Sequence, residues 1–261
     1  MTQTITYPRS APAIEQKVAN GRITWTWPVI LTVIRLPLFG LVQLLIAGLF
    51  WLLGRSQAWE HSIAWWSLVA VIVNLICLWL LYWRLNTEGF RLRDLYRFER
   101  EHLKQDLLVM VGLLFIIGPI GFLPNVLVAN LLWGDPMMGQ EMFIRPLPLW
   151  AAWLGLILFP LTIALAELPL YFGYALPRLT ALSSRWKAIL FTAFWLGAQH
   201  CTLPLIFDGR FLLWRLVMFI PFALAIGVVL HWRPRLLPYF MIIHWLIDLP
   251  VAWMVLSLSL P

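Results

Sequence analysis

The chain has 261 residues, of which 62% are hydrophobic and only 12% are charged. Soluble domains carry about 25% charged residues, so this composition excludes an ordinary soluble enzyme and indicates an integral membrane protein. The formal net charge of +7 does not indicate a nucleic-acid partner, because the basic residues lie between apolar runs, where they orient a membrane protein. We therefore expect the lipid bilayer as a partner and no nucleic acid.

The chain begins with a polar segment, residues 1–27, which lacks an apolar core. We expect it to be a cytoplasmic leader, not a cleavable signal peptide. Apolar runs follow, each long enough to cross about 30 Å of hydrocarbon as a helix. They lie at 28–53, 62–83, 107–133, 149–175, 187–206, 211–231 and 236–258. The sequence thus predicts an all-α fold, a polytopic membrane helix bundle of about seven transmembrane helices.

The basic residues between these runs predict the orientation of the bundle. The leader and the segments 84–106, 176–187 and 232–235 together hold fourteen Lys and Arg residues, against three in the alternate loops. Cytoplasmic loops carry the excess of basic residues, which places the amino terminus in the cytoplasm and the carboxyl terminus outside. Arg35 and Arg215 lie inside apolar runs, where snorkelling or a partner in the bundle would accommodate them.

The first half of the membrane region, residues 28–148, contains one long charged segment. Segment 84–106 mixes six basic with five acidic residues. Such mixing is typical of a cytoplasmic amphipathic helix on the membrane surface, or of a solvated connector. The apolar residues that a surface helix would bury are Phe90, Leu92, Leu95, Phe98 and Leu103.

Ionisable residues interrupt the last four runs at Glu167, His200, His244 and Asp248. A charged group inside a membrane helix costs roughly 2.5–3.5 kcal/mol on insertion scales, so it is normally kept for a partner or for function. His244 and Asp248 are four positions apart and share one helix face. At about 1.5 Å per residue, all four lie roughly 12–20 Å from the predicted cytoplasmic helix ends. We expect them to meet in one layer; alternatively, each only hydrogen-bonds a neighbouring helix.

Three stretches carry a resemblance to a known family. Glu167-Leu-Pro-Leu-Tyr-Phe-Gly173-Tyr-Ala-Leu-Pro-Arg-Leu179 resembles the first motif, Glu-Glu-x-x-x-Arg-Gly, of the CPBP family of CAAX prenyl proteases and bacteriocin-processing membrane enzymes. Phe194-Trp-Leu-Gly-Ala-Gln-His200 and His244-Trp-Leu-Ile-Asp248 resemble its second and third motifs, in the same order. The resemblance covers roughly residues 149–258, which would form a CPBP-like core.

The sequence also departs from the family pattern. Leu168 stands where the family has its second Glu, Phe172 where it has Arg, and Leu196 where an aromatic residue precedes the second-motif His. The first two departures remove an acid and a base together, which keeps the local charge balanced. The lost pair is either a support that this chain dispenses with or a mark of lost catalysis.

The resemblance implies a membrane-embedded glutamic-type endopeptidase that cleaves peptide bonds of a membrane-associated peptide or protein substrate. Glu167 and His200 would activate water, and His244 and Asp248 would stabilise the oxyanion. Asp248 can donate a hydrogen bond only if protonated; otherwise it orients His244. No cofactor and no metal are expected, although these two His and two carboxylates could ligate zinc if a metal is bound. We expect a multi-pass protein of a cell membrane, and the resemblance favours the bacterial inner membrane.

Two other functions fit the same residues. One is a catalytically inactive CPBP-like membrane protein that binds or scaffolds a partner, which Leu168 and Phe172 favour. The other is a transporter or a metal-binding protein that uses the same His, Glu and Asp set. Transporters are often built from internal repeats, and the sequence has none that we can detect.

Overall fold

The computed structural model describes residues 11–261. The first part of the predicted leader, residues 1–10, lies outside the described residues. From residue 11 onward the chain is helical, without a β-strand in that range. Its α-helices are α1 (Ala11–Ala19), α2 (Thr26–Val33), α3 (Arg35–Leu52), α4 (Ala58–Ile63), α5 (Trp66–Thr87), α6 (Leu103–Trp133), α7 (Met138–Glu141), α8 (Leu149–Leu168), α9 (Leu176–Leu182), α10 (Arg185–Gln199), α11 (Gly209–Trp232) and α12 (Leu237–Ser259).

Within residues 11–261, six helical segments are long and apolar enough to cross a membrane, which indicates a multi-pass membrane protein. They are Arg35–Leu52, Trp66–Thr87, Leu92–Trp133, Leu149–Leu182, Gly209–Trp232 and Pro234–Ser259. The predicted fifth run forms α10, which has only 15 residues and a length of about 22 Å. The residues after it, up to Asp208, are not helical.

Aromatic contacts join the ends of neighbouring helices in two separate groups of residues. In one group, Trp186 at the start of α10 packs against Trp232 at the end of α11, with ring centroids 6.0 Å apart. In the other, Phe207 stacks on Trp59 in the connection between α3 and α5, at 5.1 Å. The chain from Trp186 to Phe207 therefore runs from the first group to the second, although α10 itself is short.

Segment 84–106 is not one continuous surface helix and is closer in form to the connector that its charge pattern also allows. Helix α5 extends into it and ends at Thr87, and Gly89, two residues later, has the left-handed backbone (φ +76°) typical of the glycine that closes a helix. Short 3₁₀ turns follow at Leu92–Tyr96 and Arg100–His102 before α6 begins. Phe90 and Leu95 are nevertheless buried, as an amphipathic segment requires.

A π-helical segment, Pro169–Ala175, joins α8 to α9. Pro169 has no N–H group, so the carbonyl of Leu165, four residues earlier, needs another donor; the Tyr96 hydroxyl donates to it at 3.1 Å. Within the π segment, a Cβ at Gly173 would lie 2.9 Å from the Leu237 side chain. The glycine therefore lets the start of α12 pack closely against this segment.

Candidate functional site

Glu167 is the penultimate residue of α8, next to the π segment. Its side chain is 3% exposed. Short π-helical insertions in α-helices occur frequently at functional sites. The position is buried by α3, α10 and α12, and each of these helices contributes a polar side chain to the surroundings of the carboxylate.

The four residues predicted to meet do meet, around the carboxylate of Glu167. His244 Nε2 lies 3.5 Å from Glu167 Oε1, and His200 Nε2 lies 4.0 Å from Glu167 Oε2. Asp248 Oδ2 lies 3.2 Å from the same nitrogen of His244, one helix turn along α12. The predicted convergence is confirmed, while the catalytic role of these residues stays a prediction.

The His200 ring is fixed by contacts on one nitrogen and on one face. Its Nδ1 lies 2.7 Å from the carbonyl oxygen of Leu196, which can only accept a hydrogen bond, so Nδ1 carries the proton. In the neutral ring Nε2 is then an acceptor, and it faces Glu167. The ring stacks on Phe219 of α11, with centroids 3.6 Å apart and planes 18° from parallel.

Neighbouring helices hold the non-helical segment that begins at His200. Arg215 of α11 donates from Nε to the His200 carbonyl at 3.1 Å and from Nη2 to the Leu203 carbonyl at 2.6 Å. The Gln43 amide of α3 pairs with the backbone of Leu205, donating at 3.0 Å and accepting at 2.7 Å. Irregular backbone at membrane depth is tolerated only where such partners satisfy it.

Two further residues at the site were not among the predicted set. Gln199 Nε2 donates to Glu167 Oε2 at 2.6 Å. Arg35 of α3 donates from Nε to Gln199 Oε1, and its Nη2 lies 3.4 Å from Glu167 Oε2. For Arg35 the sequence predicts only snorkelling or a partner in the bundle, and the uncharged Gln199 is not among the ionisable residues that the prediction used. The sequence contains a feature that indicates both as site residues, because each is polar within an apolar run and Gln199 directly precedes His200.

The charges at the site form a buried, mixed cluster. Arg35 is fully buried and Glu167 nearly so, and the side chain of Asp248 is 18% exposed. Three polar atoms around Glu167 are buried without a hydrogen-bond partner in the described part of the chain: Arg35 Nη1, His244 Nδ1 and Asp248 Oδ2. Unsatisfied buried donors and acceptors are rare and costly, so these three atoms are suited to a ligand.

The positions at which the sequence departs from the family motif are packed as ordinary apolar core. Leu168 and Phe172 are 2% and 3% exposed. A Cβ at Gly227 of α11 would lie 3.3 Å from the Phe172 ring, so the ring packs closely against α11 at this glycine. An acid and a base at these positions would lie in apolar packing, and the cation near Glu167 comes from Arg35 instead.

Comparison with known proteins gave no relative: no family model matches the sequence, and no curated protein and no solved structure is significantly similar to it. Within residues 11–261, no group of three or more His, Cys, Asp or Glu side chains is arranged to hold a metal ion. The contact of Arg35 with Glu167 places a cation where a metal would need the carboxylate, so the residues present do not fit a zinc site.

Proposed function

We propose that the protein is a membrane-embedded glutamic-type endopeptidase that hydrolyses peptide bonds of a membrane-associated peptide or protein. The observation that carries the proposal is the meeting of Glu167, His200, His244 and Asp248, which three separate helical segments bring to one buried carboxylate. Residues this far apart in sequence and this costly in a membrane are retained together for a shared task.

In the proposed reaction, Glu167 and His200 activate a water molecule. The 4.0 Å separation between His200 Nε2 and Glu167 is too long for a hydrogen bond and suits a bridging water. The water gives one proton to the Glu167 carboxylate and directs the other to the His200 Nε2 lone pair, while its oxygen attacks the peptide carbonyl. Glu167 then returns its proton to the departing amine, so the products are a carboxylic acid and an amine.

His244 would stabilise the negative oxygen that forms during the attack. Asp248 Oδ2 lies 3.2 Å from Nε2, and Nδ1 has no partner in the described part of the chain. Nδ1 is therefore the His244 atom that we assign as donor to the oxyanion, which appears only in the transition state.

The test is cleavage of a quenched peptide library by the protein in proteoliposomes. We expect Glu167→Gln and His200→Asn to lower the rate about 10²–10⁴-fold, the range for loss of a general base. Glu60→Gln and His102→Ala change the same residue types in the loops after α3 and α5, and should leave the rate unchanged. Equal rates for the wild type and Glu167→Gln would refute the proposal.

We also propose seven membrane crossings, with the amino terminus in the cytoplasm, in a bacterial inner membrane. The packing of Trp186 on Trp232 and of Phe207 on Trp59 supports a seventh crossing, because these contacts lie at opposite ends of α10 and the segment after it. The test replaces both native cysteines and introduces one cysteine at Glu60 or Glu101. An impermeant maleimide should label the cysteine at position 60 from outside and the cysteine at position 101 only in inverted vesicles. The reverse pattern would refute a cytoplasmic amino terminus.

The second candidate is a catalytically inactive membrane protein that binds a partner. Leu168 and Phe172 favour it, since both are packed as apolar core. The hydrogen bond of Gln199 and the contact of Arg35 also satisfy Glu167 without any substrate. This candidate predicts no cleavage and a partner that co-purifies equally with the wild type and Glu167→Gln.

A further inference from the structure

The two oxygens of Glu167 have different surroundings. Oε2 accepts from Gln199 Nε2 at 2.6 Å and lies 3.4 Å from Arg35 Nη2. Arg35 also donates from Nε to Gln199 Oε1, so the three side chains form a closed ring. Oε1 has no such donor from α3 or α10 and faces His244 on the side of α12.

We propose that Arg35 and Gln199 are positioning residues that clamp Oε2 and so fix the Glu167 carboxylate beside the water that it shares with His200. This proposal deepens the proposed function and rests on it for the identity of the reaction. A guanidinium suits the role because its rigid, planar donors can bind an amide oxygen and a carboxylate together. A lysine at this position could reach one of the two but could not close the ring.

The burial of the clamp explains why it would matter. Arg35 is 0% exposed and Gln199 is 1% exposed, so neither group can be replaced by solvent when it is removed. Without the clamp, the Glu167 carboxylate can rotate about its side-chain torsions, and a displacement of about 1 Å at a reacting group can cost about 10²-fold in rate. The clamp would also place a cation beside the carboxylate that α8 carries into the membrane.

The first arm of the test needs no substrate. It is a double-mutant cycle of Arg35→Met and Glu167→Gln, measured as the thermal unfolding midpoint of the purified protein in detergent. Removing one partner of a buried ion pair is strongly destabilising, so Arg35→Met should lower the midpoint by about 6–10 °C. Adding Glu167→Gln should recover at least half of that loss. Additive effects of the two substitutions would overturn the clamp.

The second arm separates positioning from a purely structural contribution. With a peptide that the wild type cleaves, Arg35→Met and Gln199→Met should lower kcat about 10–100-fold while KM changes less than about 2-fold. Arg35→Lys should recover part of kcat. Arg145→Met, which removes an exposed arginine of the loop before α8, is the control and should match the wild type.

The outcomes separate the two proposals. Coupling in the first arm with no cleavage by the wild type would support the clamp and contradict the peptidase. Coupling with wild-type cleavage but unchanged kcat in Arg35→Met would show that the contact only stabilises the fold, which overturns the positioning role. Coupling with the expected fall in kcat and partial rescue by Arg35→Lys supports both.

Discussion

Replacement of Arg215 by methionine tests how the segment that carries His200 is held. Arg215 is 6% exposed, and it donates to the carbonyls of His200 and Leu203. Methionine keeps most of the side-chain volume but removes both donors. The Leu203 carbonyl then loses its donor within a buried, non-helical segment, and the His200 carbonyl keeps only the backbone N–H of Leu203, at 3.3 Å.

The magnitude follows from the two lost hydrogen bonds. An unsatisfied buried acceptor costs about 1–3 kcal/mol and a lost hydrogen bond to a charged donor about 1.5–3 kcal/mol, so Arg215→Met should destabilise the protein by about 2–6 kcal/mol. For a chain of this size that corresponds to a fall of very roughly 5–15 °C in the unfolding midpoint. The midpoint is measured by tryptophan fluorescence in detergent. Arg215→Lys, which can still donate to one carbonyl, should lose about half as much.

The same substitution should also move His200. The His200 ring stacks on Phe219, one turn after Arg215 on α11, so release of the segment loosens the ring and should lower any cleavage rate more than about 10-fold. Arg145→Met removes an exposed ion pair and should shift the midpoint by no more than about 2 °C. An Arg215→Met protein as stable as this control would refute our account of the segment.

Three further predictions concern stability, each measured by the same unfolding assay. Arg178→Met should cost about 1.5–3 kcal/mol, because it removes the donors at 2.8 and 2.5 Å from the buried Glu88 carboxylate, which keeps its contacts with Arg84 and Tyr174; adding Glu88→Gln should restore part of the loss. Gln43→Leu should cost about 2–4 kcal/mol by removing the pair of hydrogen bonds to the segment after α10. Tyr96→Phe should cost about 1–3 kcal/mol by leaving the Leu165 carbonyl unpaired. Losses below about 0.5 kcal/mol would contradict the contact concerned.

The helical class and the meeting of the four ionisable residues could be predicted from the sequence. Apolar runs indicate membrane helices directly, and the distance of a residue from the end of its run indicates its depth in the membrane. Glu167, His200, His244 and Asp248 had similar predicted depths, so their convergence followed once the helices packed side by side. Which helix neighbours which is not encoded in run length.

The remaining features depended on packing that the sequence pattern does not show. Arg35 begins α3, about 10 Å into the first run, at a depth similar to that of Glu167, but only the packing of α3 near α10 reveals their contact. For segment 84–106 the charge pattern allowed a surface helix or a connector, and it did not show that α5 ends inside the segment at Thr87. The fifth run was expected to be helical through residue 206, whereas the helix ends at Gln199 and side chains of α3 and α11 satisfy the following backbone.

The most direct test of the central claim is to follow the oxygen of water into the products. A membrane-associated peptide cleaved in H₂¹⁸O should gain one ¹⁸O in its new carboxyl group with the wild-type protein, as mass spectrometry would detect. We predict that Glu167→Gln forms less than about 1% as much labelled product, while Glu60→Gln matches the wild type. Labelled product from Glu167→Gln at the wild-type rate would contradict a role for this carboxylate in hydrolysis.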